Sequence, residues 1–335
     1  VSLSSQFSIK DDVDFCFPQL LNISCRKPKL HWTKAFFLDT VLSIISIVTV
    51  VLNLLVIISV SHFRQLHSPT NIILLSLAVS DFLVGLLLLP LEIHRNTSCW
   101  YLGEIMCAVY YYLACQIPFV SIGNIILISV DRYVAICHPL HYPTRITAER
   151  VKLCVFLCWL WYGLYSIFYI KDQIIHLIEP GNNVSCLGQC SIIFSYVTGV
   201  VDLILTFILP VTAIVVLYMR VFVVAVIQAR SMRSNVTFVS VQHPSKVKAK
   251  RSELKAARTL GVLVFTYLSC FCPAYCFLLV EIDFSSSYLL VALFYFNSCL
   301  NPVIYTLFYP WFRKAVKLIL TLQILKPDSC ETNML

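Results

Sequence analysis

Apolar residues run along the chain in long blocks near 36–60, 71–93, 105–130, 152–171, 192–226, 257–280 and 287–309. Each matches the roughly 20 residues an α-helix needs to cross the hydrocarbon of a bilayer. The blocks are uniformly apolar over their length. Barrel strands would be about 10 residues long with alternating polarity, and that pattern is absent. The polar stretches between blocks are short, except between the fifth and sixth. The expected fold class is an all-α membrane protein, a seven-transmembrane helix bundle. An odd number of spans puts the two ends of the chain on opposite sides of the membrane. After Tyr309, apolar and basic residues segregate at helical spacing over Trp311–Leu320, which predicts a short amphipathic helix on the inner membrane surface. The expected organisation is an extracellular segment over 1–35, the bundle over 36–309, and the amphipathic helix with a cytosolic tail over 310–335. The first residues lack a signal-peptide pattern, and a chain that opens on Val1 rather than Met is expected to lack its extreme amino terminus.

Composition sharpens this picture. Hydrophobic residues make up 59% and charged residues 13%, against roughly 45–50% and about 25% in soluble domains. That excludes a soluble globular protein and a disordered one. The net charge of +8 would suggest nucleic acid in a soluble protein. With the amino terminus outside, however, 18 of the 25 Lys and Arg residues fall on inner segments, the asymmetry expected of cytosolic loops. The positive charge is therefore mostly a topology signal, and no basic domain is left over to bind nucleic acid. The sequons at Asn22, Asn96 and Asn183 fall on the predicted outside, where they are candidate glycosylation sites, and Asn235 falls inside.

The cysteines, 15 in all, sort by depth. Cys115, Cys154, Cys158, Cys270, Cys272, Cys276 and Cys299 lie within spans and read as packing. Cys16, Cys25, Cys186 and Cys190 are outside, with Cys107 at the top of the third span, so disulfides are expected there. Cys99, beside Trp100, has no evident partner. No cysteines have zinc-ligand spacing backed by His. Cys330 follows the amphipathic stretch, a place for a palmitoyl chain.

Polar residues inside the spans each need a reason. Asp81 lies mid-span, Asp131-Arg132-Tyr133 closes the third span on its cytosolic side, and Asn301-Pro302-Val303-Ile304-Tyr305 sits low in the seventh. Pro90, Pro210, Pro273 and Pro302 interrupt helices, as membrane helices tolerate. Together these resemble a rhodopsin-class G protein-coupled receptor over nearly the whole chain. One subfamily is closer still. The run Asn297-Ser298-Cys299-Leu300-Asn301-Pro302, then Tyr305 and Tyr309-Pro310-Trp311-Phe312, resembles the fingerprint of the trace amine-associated receptors. Leu66-His67-Ser68-Pro69-Thr70-Asn71 and His138-Pro139-Leu140-His141-Tyr142-Pro143-Thr144 resemble that subfamily's inner loops. Asn22-Ile23-Ser24-Cys25 and Cys186-Leu187-Gly188-Gln189-Cys190 resemble its paired extracellular cysteines. The resemblance implies bridges Cys107–Cys190 and Cys25–Cys186, with Cys16 as the alternative partner of Cys186.

The resemblance also assigns roles. Arg132 keeps its charge and needs acidic partners at this depth. Asp131 is one, and Glu253, at the start of the sixth helix, resembles the second half of an inactive-state lock. Breaking Arg132–Glu253 would let the sixth helix swing out and open a groove for a G protein helix. Tyr218 and Tyr305 resemble the tyrosines that hold Arg132 in the active state. Asp81, Ser121, Asn297, Ser298 and Asn301 resemble this class's sodium pocket. A mid-membrane carboxylate requires a bound cation or a proton, and the alternative is a protonated Asp81 in a structural network. Leu52 and Phe271 replace a Gly and a Trp usual in the class.

The largest departure concerns the ligand. Aminergic members anchor an ammonium on an Asp in the third helix, and the matching position here is Ala114. The fifth helix instead carries Asp202, eight residues before Pro210, about 12 Å toward the outer face at 1.5 Å per residue. This resembles fish-type trace amine receptors, in which the amine binds in a reversed orientation. The competing reading is a structural Asp202 bonded to a Tyr or to Gln116. Glu92 is a second acid for the cavity or an exposed rim residue, and Tyr110, Tyr111, Phe271, Tyr275 and Tyr295 are aromatic candidates to surround an ammonium. The expected function is a plasma-membrane receptor for a small amine, olfactory by resemblance, acting through a heterotrimeric G protein of the cAMP-raising class. It would have no catalytic chemistry and no cofactor beyond an allosteric sodium ion. A receptor of the same class for a non-amine ligand is the nearest rival. A transporter would show repeated halves, and an intramembrane enzyme would show facing catalytic acids.

Overall fold

The computed structural model describes residues 14–20, 22–27, 32–171, 175, 186–191, 196–234, 261–276, 288–327 and 329–334. The membrane helices are α1 (Trp32–His62), α2 (Pro69–Thr97), α3 (Gly103–Cys137), α4 (Ala148–Tyr169), α5 (196–234), α6 (Gly261–Cys276) and α7 (Tyr288–Phe308), followed by α8 (Pro310–Leu320). Six of them are long and apolar enough to span a bilayer, and α6 is the shorter described part of the sixth block. The architecture is the seven-helix bundle expected from the hydrophobic blocks.

Helix starts follow local chemistry. Ser68 accepts a hydrogen bond from the Asn71 amide at 3.3 Å, with Pro69 in the first turn of α2. Thr147 caps α4 through the Arg150 amide at 3.4 Å. Each such cap contributes about 1 kcal/mol. Two prolines change the helices that contain them. A wide π turn over Val84–Leu88 precedes Pro90, and another over Leu203–Ile208 precedes Pro210. Proline lacks an N–H and its ring crowds the carbonyl four residues back, and a widened turn relieves both. The extra residue rotates the outer part of the helix by about 100° relative to a regular one. Glu92 and Asp202 both lie on or beyond these turns, so the turns decide where each acid points. Pro118 in α3 and Pro302 in α7 sit in continuous helix.

The helix α3 is the axis, packed by α2, α4 and α5, while α1 packs on α2 and α7. The main core joins Phe119, Ile122, Ile214, Tyr267, Phe271, Tyr305 and Phe312. The outer surface is apolar as well, with Phe156, Trp161, Phe222 and Phe265 exposed. A belt of large exposed apolar side chains is what lipid-facing helices present.

Outside the membrane three disulfides tie the loops: Cys16–Cys99, Cys25–Cys186 and Cys107–Cys190. The unassigned Cys99 therefore has a partner, and Cys16 is not the partner of Cys186. Gly188 makes this possible. Its φ of +102° is left-handed, and a side chain there would lie 2.5 Å from Cys16 Cβ. Inside, Trp311, Phe312 and Ala315 of α8 are buried while Arg313, Lys314 and Lys317 face out, the segregation read from the sequence. The last described residues fold back onto the inner end of α1. Ser329 Oγ lies 3.0 Å from His62 Nε2, the Met334 amide donates to Gln65 Oε1 at 2.9 Å, and the Met334 side chain is buried.

Candidate functional site

In the outer half of the bundle Asp202 ends the regular first turns of α5, just before the wide turn. Its Oδ1 accepts a hydrogen bond from the Tyr165 hydroxyl of α4 at 3.3 Å. Tyrosine supplies this contact and not Gln116, which lies against Gly163. The Thr206 hydroxyl donates to the Asp202 carbonyl at 2.8 Å and lies 3.2 Å from the Tyr275 hydroxyl. Aromatic rings surround the acid. Phe207 stacks on Tyr275 at 4.3 Å, and Tyr165 stacks on Tyr169 at 6.3 Å, with Phe119 against both α4 rings. Among the described residues no basic side chain pairs with Asp202.

Glu92 has the opposite setting. It is buried, not an exposed rim residue, and it accepts from Arg95 Nη2 at 2.9 Å, from Asn96 Nδ2 at 2.8 Å and from the Tyr110 hydroxyl. Tyr110 and Tyr295 are both buried, and Ala114 packs with each of them. Ala114 packs between the Trp100–Tyr110 cluster and the α1–α7 side of the core. Tyr111 donates to the Cys190 carbonyl at 3.3 Å. Phe271 stacks on Tyr267 and meets Phe294 edge-on, so it touches the core below the Asp202 ring set.

Deeper in the bundle Asp81 is fully buried. Asn301 Nδ2 donates to Asp81 Oδ2 at 2.7 Å, and the Ser121 and Ser298 hydroxyls lie within hydrogen-bond reach. Oδ1 of Asp81 has no partner among the described residues, and neither do Asn124 or the Tyr305 hydroxyl. Orphaned buried oxygens lose about 1–3 kcal/mol each unless something fills the space between them. A buried carboxylate with an unpartnered oxygen and two serine hydroxyls in reach suits a hard cation. Asn297 is buried in the same layer.

At the cytosolic end Arg132 Nε donates to Asp131 Oδ2 at 2.9 Å, and its Nη2 donates to Thr70 Oγ1. Tyr142 holds the other oxygen of Asp131 at 2.9 Å. Tyr133 packs edge-on against His138. The Tyr305 hydroxyl makes no bond to Arg132. The Tyr218 hydroxyl lies against Gly261, where any Cβ would collide with it. Glu253 and Asn183 lie outside the described residues. Asn22 is exposed, whereas the Asn96 amide is turned inward onto Glu92.

Several of these residues escaped the sequence reading. Arg95, Tyr165, Thr70 and Asn124 carry no distinctive spacing. Only the rarity of polar groups within spans marks Asn124, and Arg95 falls just past the end of the second apolar block.

The chain matches the model of the 7 transmembrane receptor (rhodopsin family) over residues 52–305. It is 40% identical to trace amine-associated receptor 13c of Danio rerio, covering 97% of each chain. It is 38% identical to trace amine-associated receptor 1 of Mus musculus, over 94% of this chain and 98% of the relative. Trace amine-associated receptor 9 of Mus musculus is 36% identical, over 99% of this chain and 98% of the relative. Proteins of this family are multi-pass plasma-membrane receptors that bind small ligands and G proteins, and they are not enzymes. Seven hydrophobic blocks, an Asp-Arg-Tyr cluster clasped at the cytosolic end, a buried acid amid oxygens and near full-length likeness to these relatives converge: the chain belongs to the trace amine-associated receptors.

Proposed function

We propose that this receptor recognises a small amine whose ammonium pairs with Asp202, and that it signals through a heterotrimeric G protein of the cAMP-raising class. The observation that carries the reading is the charge balance of the outer half. Asp202 is a carboxylate that accepts from the Tyr165 hydroxyl and has no basic partner among the described residues, set among aromatic rings. A desolvated carboxylate flanked by ring faces favours a cation. The third-helix position that would compete for it is Ala114. Relatives named for trace amines support the same ligand class.

In the same proposal Asp81, with Ser121, Asn297, Ser298 and Asn301, would hold a sodium ion that favours the resting arrangement. Arg132, clasped by Asp131 and Thr70, would be released on activation, with Tyr218, Tyr305 and Glu253 in the roles the resemblance assigns.

The test is a cAMP dose–response of cells expressing the receptor against amines and the alcohols of the same carbon skeletons. The expected result is a response to amines and none to the alcohols. Equal potency of an amine and its alcohol, or silence to every amine, would refute the reading.

A further inference from the structure

Glu92, Arg95, Tyr110 and Tyr295 form a second cation seat that is filled by the chain's own side chain. The Glu92 carboxylate is 4% exposed. A carboxylate at that depth needs a compensating charge. Arg95, one turn along α2, supplies it through Nη2 at 2.9 Å. The guanidinium also lies over the ring of Tyr110, 5.8 Å from its centroid. A carboxylate beside an aromatic face is the chemistry that binds organic ammonium ions. Arg95 therefore makes with Glu92 and Tyr110 the contacts an ammonium ligand would make. The Arg95 side chain is 19% exposed and its buried Nε has no partner among the described residues.

This seat and Asp202 flank the same stretch of α3. Tyr110 faces Glu92, Ala114 packs with both Tyr110 and Tyr295, and the next residue, Cys115, lies in the core cluster that holds Tyr275 beside Asp202. One of the two carboxylates is thus internally neutralised and the other is not. We infer that Arg95 is a specificity-determining residue, a tethered cation that occupies a second ammonium site and makes the receptor selective for monoamines over diamines. The second ammonium of a diamine meets a positive charge there instead of a carboxylate, and rejection by a built-in like charge is a common route to specificity. The selectivity part rests on the amine reading of Asp202; the existence of the seat does not.

Two measurements on Arg95→Met, which keeps an apolar stem and removes the charge, test the inference. In the first, purified full-length receptor is heated in methylguanidinium chloride or in sodium chloride at equal ionic strength. Methylguanidinium should raise the melting temperature of R95M by more than that of wild type or of the E92Q/R95M double variant, since all three keep Asp202 and only R95M frees the Glu92 carboxylate. No specific rise for R95M, or an equal rise for the double variant, overturns the seat. In the second, R95M should gain about 10-fold or more in diamine potency relative to monoamine potency, and E92Q/R95M should lose that gain. An unchanged ratio overturns the specificity role. If R95M fails to reach the cell surface, E92Q/R95M should restore surface expression because the stranded carboxylate is gone; no restoration refutes the charge pairing. Wild type silent to all amines, with R95M still stabilised by methylguanidinium, would overturn the amine reading while sustaining the seat.

Discussion

Replacing Asp202 with Asn removes one charge while changing almost nothing else. Asparagine keeps an oxygen for the Tyr165 hydroxyl, which now sits 3.3 Å from Oδ1, and the Thr206 bond to the backbone carbonyl is untouched. The fold and surface expression should therefore persist. An ammonium about 4 Å from a carboxylate gains roughly 4 kcal/mol at an effective dielectric of 20. Desolvation of the ligand's charge offsets much of that, and hydrogen bonds to charged groups retain about 1.5–3 kcal/mol. At 1.4 kcal/mol per decade this is a loss of roughly 10- to 150-fold in potency. The assay is a cAMP reporter dose–response with a responsive monoamine, normalised to surface receptor. A shift of less than about threefold, well below the range from charged hydrogen bonds, would refute Asp202 as the anchor. It would leave Asp202 as a structural partner of Tyr165.

Ala114→Asp places a carboxylate one turn from Tyr110, about 6 Å along α3, and should raise diamine potency by roughly tenfold; no gain would show that positions 114 and 202 do not share one cavity. Asn22 is exposed whereas the Asn96 amide donates to Glu92, so Asn22→Gln should remove a glycan seen by glycosidase mobility shift and Asn96→Gln should change nothing; a glycan mapped to Asn96 would contradict its inward hydrogen bonds. The Cys16–Cys99 bridge closes a separation of 83 residues, so Cys16→Ser with Cys99→Ser should cost about 2–4 kcal/mol, read as a lower melting temperature; an unchanged one would refute its stabilising role. Raising sodium chloride over an organic-cation salt of equal ionic strength should stabilise wild type and leave Asp81→Asn unaffected; an equal response of both would exclude Asp81 as the ion's ligand.

The bundle was legible because lipid imposes one demand on every span: no backbone N–H or C=O can be left to water. The apolar blocks therefore map one-to-one onto helices α1 to α7, and the amphipathic run becomes α8. The basic residues reported orientation because cytosolic loops retain them. The short chemistry also stood out, since Asp81, Asp131, Arg132 and Asp202 are expensive where they sit and so few that each is visible.

What the linear pattern leaves open is pairing. Nothing in the spacing links Cys16 to Cys99, since that contact depends on Gly188 folding beneath the amino-terminal segment. Glu92 and Asp202 look alike in sequence, each an acid near a proline in an outer half-helix. The tertiary structure separates them: wide turns ahead of Pro90 and Pro210 aim one at Arg95 and the other at Tyr165. The sequence therefore determined the spans, the topology and the residue types available to the site. Only the three-dimensional packing decided which acid is already neutralised and which is left for a ligand, because a charge's availability depends on neighbours from other helices.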